Sequence, residues 1–218
     1  AGDLLDADAM LTVTHFTGHE LTGIGGTIKN LAMGCASRQG KMHQHCGLGP
    51  RVHAANCEGC GRCVEVCAPG ALALDESGNI TLDRAACTGC ANCILACKHD
   101  CLHINWDLDL RNFVERMVEY AGAFLTAFTW PLLHLSFLFQ ITPTCDCTSS
   151  SEAPICPDIG VLASYDPVAL DQAGLDLVNA AVHTMPPDTS NHEVFTGLHP
   201  RTKPLWGLEL AEKMGLGS

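Results

Sequence analysis

Polar and apolar residues alternate through "LTVTHFT", residues 11 to 17, with the two-residue period of a strand that buries one face. "GIGG", residues 23 to 26, predicts a turn, and "TIKNLAMGCASR" after it carries the apolar spacing of a helix. From 57 to 104 the pattern breaks into short cysteine-rich segments around "ALALDESGNITLD", where Ser77, Gly78 and Asn79 predict a hairpin turn. Helical periodicity returns in "LRNFVERMVEYAGAFL", with Glu115 and Glu119 to one side of the apolar positions, and "LLHLSFLFQIT" reads as a buried strand. "DIGVLASYDPVALDQAGLDLVNAAV" then predicts a short strand, a turn at Asp166 and Pro167 and an amphipathic helix; "ELAEKMGLGS" closes the chain with a further helix.

These elements predict an α/β domain in two parts, residues 1–52 and 106–218, interrupted by a small α+β domain over 53–105. Between Tyr120 and Cys145 no acidic side chain, lysine or arginine occurs, a run long enough to raise the question of a membrane span. Pro131, His134, Gln140 and Pro143 argue against it, and a helix followed by a buried strand explains the run more simply.

A formal net charge of -12 over 218 residues offers no basic surface to neutralise phosphates and excludes a nucleic-acid binder. The first ten residues, "AGDLLDADAM", are acidic where a signal peptide needs a cationic and then an apolar stretch, so the cytoplasm is expected. Because the chain opens on Ala1 and enters a strand almost at once, it is expected to be a piece of a longer protein. Fourteen cysteines would suggest disulfides in a secreted protein, but their spacings are those of metal ligands in a reducing compartment.

"CEGCGRCVEVC" and "CTGCANCILAC" each fit C-x2-C-x2-C-x3-C, at Cys57, Cys60, Cys63 and Cys67 and at Cys87, Cys90, Cys93 and Cys97. Thiolates are soft ligands that hold iron in tetrahedral sites, and the short spacers wrap three of them round one corner of a cubane. The two motifs resemble bacterial-type two-cluster ferredoxins, in which the fourth cysteine of each run ligates the other cluster. That resemblance implies one [4Fe-4S] centre on Cys57, Cys60, Cys63 and Cys97 and a second on Cys87, Cys90, Cys93 and Cys67. The chain departs from the pattern after the fourth cysteines: proline stands at Pro69 in the first run, and Lys98 follows Cys97 in the second, where its charge is expected to raise the potential of the first centre.

The flanks, "HFTGHELTGIGGTIKNLAMGCASRQGKMHQH", "ITPTCDC" and "DIGVLASYDPVALDQA", resemble the iron-sulfur proteins grouped as domain of unknown function 362. Before the insert the residues that match are His15, Gly18, His19, Gly25, Gly26, Lys29, Asn30, Met33, Gly34, His43 and His45; after it they are Cys145, Asp146, Cys147, Asp158, Ser164, Asp166 and Asp171. The resemblance implies an α/β domain interrupted by a two-cluster ferredoxin and brings no reaction with it.

Within those flanks, "TGIGGTIKN" places glycines and backbone amides at a helix start, with Lys29 one turn in. It suits a carboxylate or phosphate, or else the glycines serve close packing. In "KMHQHC" an extended backbone would put His43 and His45 on one face, as it would Cys145 and Cys147 in "CDC". Together the four would form a third metal site; alternatively Cys145 and Cys147 are a redox thiol pair with Asp146 between them, or inert buried thiols. Cys35 and Cys156 read as core residues, and His53, His99, His103, His134, His183, His192 and His199 as surface or satisfied core groups. Asp158 and Asp166 end strands, either as functional carboxylates or as turn and capping groups.

The expected function is an iron-sulfur electron-transfer protein or oxidoreductase, whose two [4Fe-4S] clusters exchange electrons with a redox protein partner and with a site in the α/β domain. In that site Lys29 would meet an anionic substrate, His15 and His19 would move protons, and Asp146 would serve the thiols. The competing expectations are a non-catalytic electron-carrier subunit of a larger redox complex and a metal-handling protein.

Overall fold

The computed structural model describes residues 2–106, 109–149, 152–182 and 193–218, so that His183 and His192 lie outside the described residues. The chain forms two compact units, one made of Ala1–Cys35 with Val114–Ser218 and the other of Ala36–Phe113.

In the first unit, β1 (Met10–His15) leads into a tight hairpin of β2 (Thr17–His19) and β3 (Gly23–Gly25), followed by α1 (Thr27–Lys29) and a π-helical turn over Asn30–Gly34. The turn expected at 23–26 is therefore a strand, and the chain reverses at 20–22. His19 causes this: its Nδ1 accepts the amide hydrogens of Leu21 at 3.1 Å and Thr22 at 3.2 Å, giving the reversal a partner that backbone alone lacks.

The second unit opens with α2 (Arg38–His45), capped by Ser37, whose hydroxyl accepts the Gly40 amide at 3.1 Å. Then come β4 (Pro50–Val52), α3 (Arg62–Glu65), the hairpin of β5 (Leu72–Leu74) and β6 (Ile80–Leu82), α4 (Asn92–Ala96) and β7 (Leu102–Ile104). The unit is wider than 53–105 because β4 pairs antiparallel with β7, drawing in the residues before the first cysteine motif. Its core contains Cys63, Leu72, Ile80, Cys93, Cys101 and Leu102, so thiols stand where a domain of this size normally packs leucine and valine.

The first unit resumes with most of α5 (Leu110–Ala127), then β8 (Leu132–Leu138), β9 (Gly160–Ser164), α6 (Pro167–Ala181), α7 (Val194–Leu198) and α8 (Leu205–Lys213). No helix among the described residues is long and apolar enough to cross a membrane. Strand β8 is central, parallel to β1 and antiparallel to β9. Helix α6 packs on β8 and β9, and Gly174 lets its backbone approach the Phe16 ring. Under the helices lies an unusually polar row: Thr12, Thr14, His134 and Ser136 are buried, with Thr12 Oγ1 2.7 Å from His134 Nδ1. The opposite face carries the aliphatic residues of the alternation, and Leu11 and Val13 are 53% and 57% exposed there.

Candidate functional site

The two cysteine motifs fold as near copies of each other. Gly59 and Gly89 follow the first cysteine of each run by two residues with φ of 66° and 68°, and Gly61 and Ala91 follow the second cysteine with φ of 73° and 62°. These left-handed positions coil each loop so that its thiols point the same way, and a short helix, α3 or α4, starts directly afterwards. Cys57, Cys60, Cys63 and Cys97 then line one small cavity, with Cys101 beside them, whereas Cys67, Cys87, Cys90 and Cys93 line another. The last cysteine of each motif has crossed to the other motif's cavity.

Thiols crowd one another in both places. Burial foremost, and then the neighbouring Cys46, Cys90 and Cys87, push the Cys93 thiol up to about 12; burial and then Cys57 push Cys101 up to about 11. Deprotonating so crowded a set takes a cation to share the charge, and among the described residues none of these cysteines is joined to another. Lys98 is exposed and does not line the first cavity; Arg62 does, as does His99, whose Nδ1 is 3.3 Å from Glu58.

A second site lies wholly within the first unit. A cavity of about 250 Å³ opens between the ends of β1 and β3, the start of α1 and the loop after β8. Lys29, His15, Asp146, Cys145 and Cys147 all line it, so the structure unites two groups of residues, His15 with Lys29 and Cys145 to Cys147, that lie more than a hundred positions apart in sequence. Cys145 and Cys147 are joined in a disulfide. Lys29 Nζ stands 3.4 Å from the Cys145 sulfur and 3.6 Å from that of Cys147, and the Cys147 amide points at Cys145 Sγ from 3.3 Å. Cys145 is buried and Cys147 exposed. Burial lowers the Lys29 pKa from its ordinary value, an effect that Glu20 and Asp146 partly oppose.

His15 is held at both ring nitrogens, Nδ1 at 2.7 Å from Asp146 Oδ2 and Nε2 at 2.7 Å from the Phe139 carbonyl oxygen. Burial is the largest influence on its pKa and acts downward, but the Asp146 hydrogen bond, the Phe139 carbonyl and the Asp146 charge together raise it above the ordinary value. His19 does not line this cavity, yet a ring nitrogen lies within 4.8 Å of both cysteine sulfurs. The three residues are of metal-ligating type. The two amides at Nδ1, however, place the ring proton on Nε2 in the neutral tautomer, which makes that nitrogen a donor rather than a ligand.

The helix start holds its anion internally. Asp171 Oδ1 accepts the Thr27 amide hydrogen at 2.6 Å and Oδ2 that of Ile28 at 2.9 Å, so the amides expected to meet an external carboxylate or phosphate meet this one. The glycines before them serve close approach: a Cβ on Gly26 would overlap the Asp171 carboxylate, one on Gly25 would press on Thr17 and Cys145, and one on Gly18 would overlap the Pro143 carbonyl. Asp171 sits among the inward positions Val168, Leu170, Leu175 and Val178 of α6, and an acid on an apolar stripe was the signal available in the sequence.

His43 and His45 lie on α2 of the second unit, not on an extended segment. Two residues apart on a helix they face different ways. His45 is occupied there, its Nδ1 2.7 Å from the Lys41 carbonyl and its ring 5.0 Å from that of Phe113. The residue found beside Cys145 and Cys147 is His19. Asp166 caps α6 by accepting the amides of Val168 and Ala169, Asp158 accepts the Gln140 amide at 2.8 Å, and the Asn30 amide group ties α1 to the Val13 carbonyl. Cys156 is buried and Cys35 half-buried; His53 and His103 stack edge to face on the surface, and His199 bonds the Pro143 carbonyl.

The family model described as Domain of unknown function (DUF362) matches residues 1–176. No curated protein and no solved structure matches the chain.

Proposed function

We propose, for a chain that belongs to the family Domain of unknown function (DUF362), an iron-sulfur protein that transfers electrons between a redox partner and a site in its α/β unit. The observation that carries this reading is the sorting of eight cysteines into two cavities, Cys57, Cys60, Cys63 and Cys97 in one and Cys67, Cys87, Cys90 and Cys93 in the other. Zinc knuckles take four ligands from paired turns and have no reason to exchange their last cysteine. The residues therefore fit two [4Fe-4S] clusters, which when bound supply one-electron transfer. The chain's own contribution is to hold them: left-handed backbone at Gly59, Gly61, Gly89 and Ala91 aims the thiols, and the surrounding aliphatic residues limit access of water.

Anaerobically purified protein is expected to contain about eight iron and eight acid-labile sulfide ions, the content of two four-iron clusters. Cys60→Ala and Cys90→Ala should each lose about half of both. Stoichiometric zinc with no sulfide would overturn the assignment.

A second reading draws on the outer sheet face. Leu11 and Val13 on β1 and Val161 on β9 expose 53%, 57% and 48% of their surface on the side away from the helices. An apolar sheet face of this kind suits a partner subunit, and an electron-carrier subunit of a larger complex would use it for docking. Sedimentation of the Leu11→Lys and Val13→Lys double variant against the parent separates the two: a change in assembly favours the subunit.

A further inference from the structure

We propose that Cys145 and Cys147 are a redox-active pair, opened by two electrons to a dithiol that reduces a low-molecular-weight anionic disulfide in the cavity above them. The sulfurs are bonded to each other, whereas the eight cysteines of the paired motifs are not. The pair lies on the wall of a cavity of about 250 Å³, and one sulfur is exposed while the other is buried. A nucleophile needs an accessible sulfur and a resolving partner needs a protected one, which assigns attack to Cys147 and resolution to Cys145. Lys29 Nζ at 3.4 and 3.6 Å from the two sulfurs supplies the positive charge that keeps a thiolate at neutral pH. Asp146, between the cysteines, is turned away to His15, so its carboxylate faces the imidazole rather than the sulfurs.

Two electrons and one proton convert the Cys145–Cys147 bond into a Cys145 thiol and a Cys147 thiolate paired with the Lys29 ammonium. The thiolate attacks one sulfur of the substrate disulfide, forming a mixed disulfide on Cys147 and releasing the first substrate thiolate, which takes a proton from the Cys145 thiol. The Cys145 thiolate then attacks Cys147, the protein disulfide re-forms, and the second substrate thiolate leaves and is protonated by solvent. The electrons come from a low-potential one-electron donor, and to that extent the inference rests on the iron-sulfur reading. Lys29, and His15 paired with Asp146, stand on the cavity wall, where the lysine charge favours carboxylate-bearing substrates.

The test uses the full chain, purified anaerobically and assayed first for iron and sulfide. Oxidised glutathione is added to Cys145→Ser and to Cys147→Ser, and intact mass and peptide mapping report the adducts. A stable glutathione adduct on Cys147 in Cys145→Ser, with little on Cys145 in Cys147→Ser, is expected. In reduced parent protein, iodoacetamide should label Cys147 roughly tenfold faster than in Lys29→Gln, the change in thiolate fraction that about one unit of pKa makes near neutrality. Lys29→Arg should restore the rate, which separates loss of charge from loss of fold. Equal labelling of both cysteines in parent and Lys29→Gln, no adduct, or a metal ion that is lost from the Cys145→Ser/Cys147→Ser double variant would overturn the proposal. Reduction of the pair by photoreduced methyl viologen, read by the same labelling, is expected. If iron and sulfide are absent while adduct and labelling behave as described, the iron-sulfur reading fails and the thiol site stands; if the metals are present and the adduct is not, the reverse holds.

Discussion

Asp171 hands its carboxylate to Thr27, taking that residue's amide hydrogen at 2.6 Å across 144 positions of sequence. This contact, with its twin to Ile28, fixes the helix from which Lys29 reaches the two sulfurs. Removing it leaves two buried amides without an acceptor. Asp171→Ala is expected to destabilise the α/β unit by about 1 to 3 kcal/mol. Amide hydrogen exchange at Thr27 and Ile28 should rise accordingly, and unchanged protection there would show that the carboxylate is not their partner.

The same group sets a pH signature. Burial pushes the Asp171 carboxyl up from 3.8 to about 6, against the pull of the Ile28 and Thr27 amides. A folded value above the unfolded one means that its contribution to stability is complete below pH 3.8 and is lost as pH rises through about 6. A carbon-detected NMR titration is expected to find this carboxyl near 6; a midpoint below the ordinary value would mean that the two amides outweigh burial.

His15 and Asp146 form a pair whose parts act in opposite senses. With Asp146 present the imidazole pKa is raised, although burial, the largest single influence, lowers it. The stability that His15 adds is therefore fully present below its unfolded pKa and disappears as pH rises through the raised folded one. Asp146→Asn should drop the His15 midpoint by proton NMR, since the charge is gone and burial remains. No movement would place the cause in the Phe139 carbonyl instead.

Two glycines should tolerate no side chain. A methyl group on Gly18 would overlap the Pro143 carbonyl, and one on Gly26 the Asp171 carboxylate, both backbone or buried groups with nowhere to move. Gly18→Ala and Gly26→Ala are each expected to cost about 1 to 3 kcal/mol, the usual penalty of overpacking. Gly61→Ala meets no atom within 4 Å and should cost only the strain of its left-handed backbone. Thermal midpoints of the three variants check the order.

Ala91 occupies the left-handed position that Gly61 fills in the first motif, with φ of 62° against 73°. An alanine there bears a cost of roughly 1 kcal/mol that glycine does not. Ala91→Gly is expected to stabilise the second unit slightly and, under the proposed iron-sulfur reading, to lengthen retention of iron in air. Faster loss of iron would mean that the Ala91 methyl group, buried at 2% exposure, contributes more as packing than it costs as strain.

Local signals in the chain were enough for the periodic elements and for the eight cysteines. Strand alternation at 11–17, the helix over "LRNFVERMVEYAGAFL" and the Asp166 cap all appear where nearest-neighbour chemistry dictates them. The two cysteine motifs were legible because their spacing is local, whereas the exchange of Cys67 and Cys97 between the two sets was expected only from the resemblance to two-cluster ferredoxins. Everything that depended on which distant residue arrives was undetermined. Periodicity told that β1 has two faces, and only packing of α1 and the π-helical turn on β1, beside α6 on β8 and β9, decided that Thr12 and Thr14 are the buried ones while Leu11 and Val13 stay exposed. The "GIGG" run has the composition of a turn, yet pairing with β2 makes it a strand, and its neighbours Pro204, Cys145 and Asp171 make it a place of close approach. Likewise the anion at the helix start was predictable as chemistry but not as Asp171, and the companion of "CDC" came out as His19 and Lys29 rather than His43 and His45. The sequence by itself determined which groups could do chemistry; the tertiary structure decided which of them meet, because contact between residues more than a hundred positions apart is set by how whole faces pack and not by local preference.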